Sequence, residues 1–215
     1  MAEAAPKTHP PMIAREHIDG LILAGGQSRR MRTQGSNIDK GLLELDGKPL
    51  VHHVARFLRP WVNHLYISAN RHLDIYGQYG QCVSDDPVFG ADAGPLAGVA
   101  SVSVVTARPW LLVSPVDVHT FPADFPARLI QEVSRGALSA YACADGRPHP
   151  LCMLVHRDLG ADLRDYLQGG GRKVLDWHER RGAVPVDFGA NGALFGNINT
   201  AADWQVVVAN AQTSQ

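Results

Sequence analysis

Apolar and polar positions alternate along the chain between two periods, one typical of strands and one typical of helices. Short apolar runs that end in glycine or polar residues predict strands over 17–26, 63–70 and 109–117. Apolar residues at helical spacing predict helices over 47–62, 94–107 and 121–136. Strands and helices in alternation indicate an α/β fold with a mostly parallel sheet and helices on both faces.

The C-terminal half continues this pattern with one change. Two strands are predicted within 137–158 around a turn at Asp145–Arg147, and two short helices follow within 159–182. A late strand is predicted over 183–189, and a closing helix follows with Thr200 as its N-cap. We expect one domain over 18–208, a flexible N-terminal tail over 1–17 and a C-terminal tail over 209–215.

Candidate ligand-binding residues follow from the predicted sheet. In open α/β sheets, ligands bind at the carboxyl ends of the strands. Gly25 and Gly26 follow the first predicted strand, Ser68 and Asn70 close the second, and Asp117 closes the third. The sequence therefore predicts a binding site built from these three strand ends.

Charge and cysteine content narrow the class of protein. The 215 residues carry a net charge of −1, which disfavours nucleic acid as a main partner. Cys82, Cys143 and Cys152 are an odd number without metal-ligand spacing, so buried thiols in a reducing compartment are expected. Because no secretory signal and no membrane-spanning run is apparent, a cytoplasmic location without membrane contact is the prediction.

The stretch after the first predicted strand combines glycines with positive charge. Gly25 and Gly26 are followed by Arg29, Arg30 and Arg32, and Lys40 comes a few residues later. Glycines let backbone N–H groups approach an anion, and the basic side chains suit phosphates. The spacing matches neither a Walker A loop nor the GxGxxG motif. Taken alone, this stretch could equally be a solvated basic turn.

Further motifs, in a fixed order along the chain, make a phosphate-binding role of this stretch more specific. LAGG-x-S-x-R-M at 23–31 is followed by Asp39-Lys40-Gly41, and then by SANRHLDIY, GPLAG, HPLCMLV and NINT. In this order they resemble the molybdenum cofactor guanylyltransferases of the small nucleotidyltransferase superfamily. The resemblance extends from about Gly20 to Trp204.

The resemblance implies both a fold and an activity. The fold would be a Rossmann-like three-layer sandwich with a mostly parallel central sheet, of the nucleotidyltransferase type. The reaction would transfer GMP from GTP to the terminal phosphate of molybdopterin, release pyrophosphate and depend on Mg²⁺. Accessory proteins that deliver molybdopterin, and the molybdoenzymes that accept the product, would be further partners.

The resemblance also implies roles for individual residues. The nucleotide would contact Leu23, Ala24, Gly25, Gly26, Lys40, Ser68, Asn70, Asp86, Gly98 and Asp117. Arg30, Lys40 and Asp117 would be catalytic, and Asp117 would bind the metal. His149, Asn197 and Asn199 would lie on the acceptor side. Asp86, rather than its neighbour Asp85, would accept hydrogen bonds from guanine.

Two segments depart from the family pattern. Arg32 stands at a position where a glycine is usual, and six further residues intervene before Asp39, so the loop over 32–38 is long. Because the entropy of loop closure grows only with the logarithm of length, Lys40 could still reach the phosphates. After Asp117, Val118 and His119 replace the usual Thr-Pro, so the metal ligand is kept and its neighbours are not.

The sequence also allows two other functions. A related transferase could use CTP with a molybdopterin or isoprenoid acceptor, although Asp86, GPLAG and NINT favour guanine. Alternatively, the altered loop and the Val118-His119 change could belong to a nucleotide-binding protein that has lost catalysis. Retention of both Lys40 and Asp117 disfavours that alternative.

Overall fold

The computed structural model describes residues 13–26, 39–90, 93–190 and 195–198, together with 200, 203–207 and 209. The strands are β1 (Ile18–Leu23), β2 (Glu44–Leu45), β3 (Lys48–Pro49), β4 (Leu65–Ser68), β5 (Gln81–Val83), β6 (Trp110–Pro115), β7 (Ser139–Ala144), β8 (Arg147–His156) and β9 (Val184–Asp187). The helices are α1 (Leu50–Leu58), α2 (Leu73–Tyr76), α3 (Pro95–Val105), α4 (Phe125–Val133), α5 (Leu159–Gln168) and α6 (Val174–Arg181).

A seven-stranded sheet forms the centre of the molecule, in the order β5-β4-β1-β6-β8-β7-β9. Within it β8 runs against its two neighbours, and the other four pairings are parallel. The predicted α/β class with a mostly parallel central sheet is confirmed. The reversal at β8 follows from the tight turn at Asp145 and Gly146, both at positive φ, which returns the chain beside β7.

Two layers of helices cover the sheet, one on each face. One apolar core joins the sheet to α1 and α4, for example through Val54, Leu58 and Leu129. The other joins it to α3, α5 and α6 through residues such as Val99 and Leu163. The strands β1, β4 and β6 are buried on both sides, which explains their nearly continuous apolar sequence. The three-layer arrangement is therefore confirmed.

The two ends of the expected domain show different details. Arg15–His17 forms a 3-10 helix, Arg15 Nε donates to the Val62 carbonyl at 2.7 Å, and Ile13 packs on the core. Packing therefore begins before residue 18, the boundary expected from the sequence. At the other end Thr200 Oγ1 accepts from the Asp203 amide at 3.1 Å, which confirms Thr200 as the N-cap of the closing helix.

Three short elements were not predicted from the sequence: the β2–β3 hairpin, the single turn α2 and the edge strand β5. The cysteines are free thiols, with Cys152 buried and the other two half-buried, and burial raises the pKa of all three.

In the described part of the chain, no helix has the combination of length and apolar composition needed to cross a membrane.

Candidate active site

A cavity of about 800 Å³ opens at the carboxyl ends of β1, β4, β5 and β6. It contains all ten residues expected to contact a nucleotide: Leu23, Ala24, Gly25, Gly26, Lys40, Ser68, Asn70, Asp86, Gly98 and Asp117. Asp39, Asp85, Gly94, Pro95 and Leu151 also line it, together with Pro87, Gly90, Ala93, Pro115 and Val116. The rule that ligands bind at the carboxyl ends of the strands therefore predicted where the cavity lies, and residues of the sequence motifs line it.

Among the glycines that line the cavity, Gly98 stands where a larger residue would collide with its neighbours. A Cβ on Gly98 would lie 2.3 Å from Ser68 Oγ and 2.7 Å from Ser68 Cβ. The absence of a side chain thus lets α3 pack directly on the end of β4. At the start of α3, Gly94 has a φ of 80°, and Pro95 occupies the first helical turn. The N-terminus of α3 consequently faces the cavity and favours an anion there.

Three polar side chains meet where β4 and β5 end. Asn70 Nδ2 donates to Asp85 Oδ2 at 2.8 Å, and Ser68 Oγ donates to Asp85 Oδ1 at 3.3 Å. The Asp85 amide in turn donates to Asn70 Oδ1 at 2.9 Å. A Cβ built on Gly25 would be 3.9 Å from Asp85 Oδ2, so this carboxylate lies next to the glycine turn. We call Ser68, Asn70 and Asp85 the base-side cluster, after the role that is proposed for it below.

Asp86 also lines the cavity, but its carboxylate is engaged elsewhere. Oδ1 accepts from the Val88 amide at 3.0 Å and so caps the 3-10 helix Pro87–Phe89. Oδ2 pairs with Arg164 Nη1 at 3.0 Å. The Val88 N–H, and after it Arg164, lower the pKa of Asp86. Asp85, rather than Asp86, is thus the carboxylate that lies among the cavity-lining side chains of Ser68 and Asn70.

The sequence does contain a feature that distinguishes Asp85 from Asp86. Asp86 precedes Pro87, and aspartate followed by proline is typical of an N-cap and the first position of a helix. Asp85 comes two residues after the end of β5 at Val83, on the same edge of the sheet as Ser68. The short strand β5 was not recognised, so this register could not be read from the sequence.

On the opposite side of the cavity, Lys40 and Asp117 form an ion pair. Lys40 Nζ lies 3.1 Å from Asp117 Oδ2, and their side chains are 15% and 19% exposed. Asp117 follows β6, and Lys40 begins the 3-10 helix Lys40–Leu42, which Asp39 caps. We call Lys40 and Asp117 the phosphate-side pair, after the role that is proposed for it below. Two charges of opposite sign are thus held partly buried at the cavity wall.

The residues after Asp117 pair with a segment from the C-terminal part of the chain. Val118 forms an antiparallel bridge with Asn197, and the His119 amide donates to the Gly196 carbonyl at 3.1 Å. A Cβ on Gly196 would lie 2.6 Å from His119 Cε1, so the imidazole packs on this glycine. Val118 and His119 therefore join the two segments, while Asp117 remains in the cavity.

Of the residues expected on the acceptor side, the two that the structure describes do not line the cavity. Asn197 is exposed and held through its bridge to Val118. His149 lies within β8, stacks on Phe195 with centroids 5.0 Å apart, and does not line the cavity. Burial lowers the pKa of His149. Arg30, Asn199 and the loop over 32–38 lie outside the described residues.

Comparison with known proteins agrees with the sequence resemblance. The model of the MobA-like NTP transferase domain family matches residues 20–182. A molybdenum cofactor guanylyltransferase of Yersinia pestis (strain Pestoides F) is 41% identical over 187 residues, covering 87% of this chain and 93% of the relative. The enzyme of the same name from Yersinia pseudotuberculosis serotype O:1b gives the same values.

Solved structures show the same fold at lower identity. Molybdopterin-guanine dinucleotide biosynthesis protein A from Archaeoglobus fulgidus has a TM-score of 0.71 at 19% identity, covering 91% of this chain and 99% of its own. The inositol-1-phosphate CTP transferase from T. maritima has a TM-score of 0.69 at 13% identity, covering 93% and 97%. Together with the matched family model and the 41% identical relatives, this shows that the chain is a nucleotidyltransferase of the MobA-like NTP transferase family, to which the molybdenum cofactor guanylyltransferases belong.

Proposed function

We propose that the protein transfers GMP from GTP to the terminal phosphate of molybdopterin and releases pyrophosphate. The observation that carries this proposal is the phosphate-side pair, Lys40 and Asp117, at one wall of a glycine-lined cavity at the strand ends. The relatives named molybdenum cofactor guanylyltransferase supply the acceptor, because the described contacts do not distinguish one phosphate acceptor from another.

The reaction needs charge stabilisation more than a protein nucleophile. An oxygen of the acceptor phosphate, already ionised at neutral pH, forms a bond to the α-phosphorus of GTP. The bond from that phosphorus to the bridging oxygen breaks, and pyrophosphate leaves with the electron pair. Lys40 would hold the triphosphate and offset the charge that develops on it. The N-terminus of α3 would add a favourable dipole on the side of Gly94 and Pro95.

The donor set at Asp117 fits a magnesium ion that is shared with substrate phosphates. Mg²⁺ is usually held by one or two carboxylates, with the remaining positions taken by phosphate oxygens and water. Among the described residues no cluster of three or more His, Cys, Asp or Glu side chains could hold a metal by itself. Asp117 would therefore be the protein ligand, and the ion would neutralise phosphate charge. Lys40 must then exchange its contact with Asp117 for the phosphates.

Guanine would be selected by the base-side cluster. A carboxylate can accept from the N1–H and the 2-amino group of guanine together, an arrangement that adenine and cytosine do not offer. Asp85 is suited to this role because Asn70 and Ser68 already donate to its two oxygens and fix their direction. We therefore assign guanine recognition to Asp85, in place of Asp86.

Pyrophosphate release tests the proposal directly. The purified protein is incubated with a molybdopterin source, Mg²⁺ and, in separate reactions, GTP, CTP or ATP. We expect release with GTP, and a loss of about 10²- to 10³-fold in the Asp117→Ala variant. Asp124→Ala is the matched control, because Asp124 is an exposed aspartate that pairs with Arg128 on α4.

Each other outcome has a definite meaning. Release with CTP in place of GTP would refute the choice of nucleotide while keeping the chemistry. Full activity of Asp117→Ala would refute the metal ligand. GTP binding without release of pyrophosphate from any nucleotide would refute the transferase activity.

A further inference from the structure

A buried tyrosine contacts the residue immediately before Lys40. Tyr76 ends the one-turn helix α2 and is fully buried. Its hydroxyl donates to Asp39 Oδ1 at 2.6 Å, and the same oxygen accepts from the Gly41 amide at 3.2 Å. Asp39 thereby links a side chain from the interior of the protein to the main chain on both sides of Lys40.

The main chain at Gly41 is confined by the same tyrosine. A Cβ on Gly41 would lie 2.3 Å from the Tyr76 hydroxyl oxygen and 3.0 Å from Val116 Cγ2. Val116 precedes Asp117, and its amide donates to the Leu23 carbonyl at 3.0 Å, so it is fixed to β1. The residue after Lys40 is thus held between Tyr76 and the residue before Asp117.

This confinement matters because lysine is a flexible side chain. Its four-carbon stem loses considerable rotamer entropy when the ammonium is held in one place. A main chain that is already fixed reduces the number of positions the ammonium can reach, and supporting hydrogen bonds of this kind pre-organise a site. Burial, and then the hydrogen bond to Asp39, raise the pKa of Tyr76, so the phenol stays a donor throughout the ordinary pH range.

We propose that Tyr76 is a positioning residue: its hydroxyl acts through Asp39 to fix the main chain at Lys40, and so keeps the Lys40 ammonium at this wall of the cavity. The consequence for catalysis rests on the proposed function, in which Lys40 stabilises the triphosphate. The anchoring of residues 39–43 does not rest on it, because it depends only on the contacts of Tyr76, Asp39 and Gly41.

The first test is kinetic. Tyr76→Phe removes one hydroxyl and keeps the ring in the core, and we expect kcat/KM for GTP to fall about 10- to 100-fold. The control is Tyr66→Phe, which removes a hydroxyl from another buried tyrosine, packed on His64 rather than on Asp39. We expect this control to retain wild-type kinetics. Wild-type kinetics in Tyr76→Phe would overturn the proposal.

A double variant tests whether the effect passes through Asp39. If Tyr76 acts only by way of that carboxylate, the double variant Tyr76→Phe/Asp39→Ala is no slower than Asp39→Ala alone, because alanine leaves no oxygen for the hydroxyl to donate to. A merely structural role of the hydroxyl predicts instead that the two losses multiply, as independent effects do. Multiplying losses would therefore overturn the proposal even if Tyr76→Phe is slow.

Hydrogen exchange separates this proposal from the proposed function. In the free wild-type protein and in Tyr76→Phe, amide exchange is followed in peptides that cover residues 39–43. We expect faster exchange there in Tyr76→Phe and unchanged exchange in β1. If the wild type releases no pyrophosphate from GTP, the proposed function fails, and the exchange result still decides whether Tyr76 anchors this segment. Equal exchange in the two proteins would overturn the anchor.

Discussion

The two sides of the cavity are built on different physical principles. The base-side cluster consists of short side chains at the ends of the neighbouring parallel strands β4 and β5, joined by hydrogen bonds of 2.8 to 3.3 Å. The phosphate-side pair consists of a long basic side chain and an aspartate, partly buried and in contact at 3.1 Å. The first is positioned by the sheet itself, whereas the second also depends on a turn that Tyr76 supports.

This difference suggests a division of work between the two sides. Hydrogen bonds within a cluster on strand ends fix the direction of its polar groups, which suits discrimination between bases. An ion pair between Lys40 and Asp117 cancels two charges that would otherwise be costly at a partly buried site. In the proposed reaction, phosphates would replace that contact and both charges would become available, which suits catalysis. Changes on the base side should therefore affect nucleotide choice, and changes on the phosphate side should affect turnover.

The largest effect that would test this division is expected at Asp85. Asp85→Asn should lower kcat/KM for GTP about 100-fold, because the carboxylate no longer accepts both donors of guanine. The loss should be smaller with inosine triphosphate, which lacks the 2-amino group. The measurement is kcat/KM for both nucleotides in the wild type and the variant.

Asp86→Asn is the matched control for this prediction. Its carboxylate already accepts from Val88 and pairs with Arg164, so the preference for GTP over inosine triphosphate should remain. If Asp86→Asn loses that preference and Asp85→Asn keeps it, Asp86 is the guanine residue, as the sequence alone had suggested.

A smaller effect is expected where α3 packs on the base-side cluster. Gly98→Ala would place a methyl group 2.3 Å from Ser68 Oγ, so Ser68 must move away from Asp85. We expect KM for GTP to rise about 10-fold while kcat changes little, because the phosphate-side pair is not touched. Steady-state kinetics over a range of GTP concentrations separate the two parameters.

Ser68→Gly tests the cause of that effect. It removes the two contacts shorter than 3.0 Å and leaves the one to Leu23 Cδ2 at 3.1 Å, so Gly98→Ala/Ser68→Gly should have nearly the same KM as Ser68→Gly alone. A fall in kcat as large as the rise in KM would show that the two sides of the cavity are not separate.

The sequence predicted the cavity better than it predicted the elements around it. Strand ends at Gly25, Ser68 and Asp117 could be located because β1, β4 and β6 are buried and therefore read as apolar runs. In contrast, β5 has three residues with partly exposed side chains, and α2 has a single turn. Segments of this length contain too few residues for a periodic pattern, so their neighbours could not be placed.

The contacts of individual residues were hard to predict for the same reason. Asp85 and Asp86 are adjacent, and only the register of β5 decides which carboxylate meets Ser68 and Asn70. Tyr76 could not be connected with Lys40, because their proximity depends on the path of the chain through α2. His149 belongs to β8 and stacks on Phe195, outside the cavity, and its contact with an acceptor stays a prediction. Contacts between distant segments, unlike local patterns, are not visible in a single sequence.

The smallest predicted effect concerns the ion pair between Asp86 and Arg164, next to the base-side cluster. The two side chains are 34% and 30% exposed, so solvent screens their attraction. The hydrogen bond from Val88, and then Arg164, hold the pKa of Asp86 below its ordinary value. A carboxylate with a lowered pKa in the folded state stabilises the protein above its unfolded pKa, and this contribution is lost as pH falls through the folded pKa.

Arg164→Gln removes the guanidinium, which also lies over the Phe89 ring at 5.2 Å, and keeps most of the side-chain length. The part of the change that depends on pH below neutrality reports the pair with Asp86. We expect a slightly lower urea midpoint than in the wild type at about pH 7, and a difference that shrinks below about pH 4, where carboxylates become protonated. KM for GTP should remain near the wild-type value, because Ser68 and Asn70, rather than Arg164, contact Asp85. A difference in midpoint that grows in acid would contradict the assigned sign. A large rise in KM would mean that Asp86 and its partner belong to the base-side cluster, and the contrast between the two aspartates would then disappear.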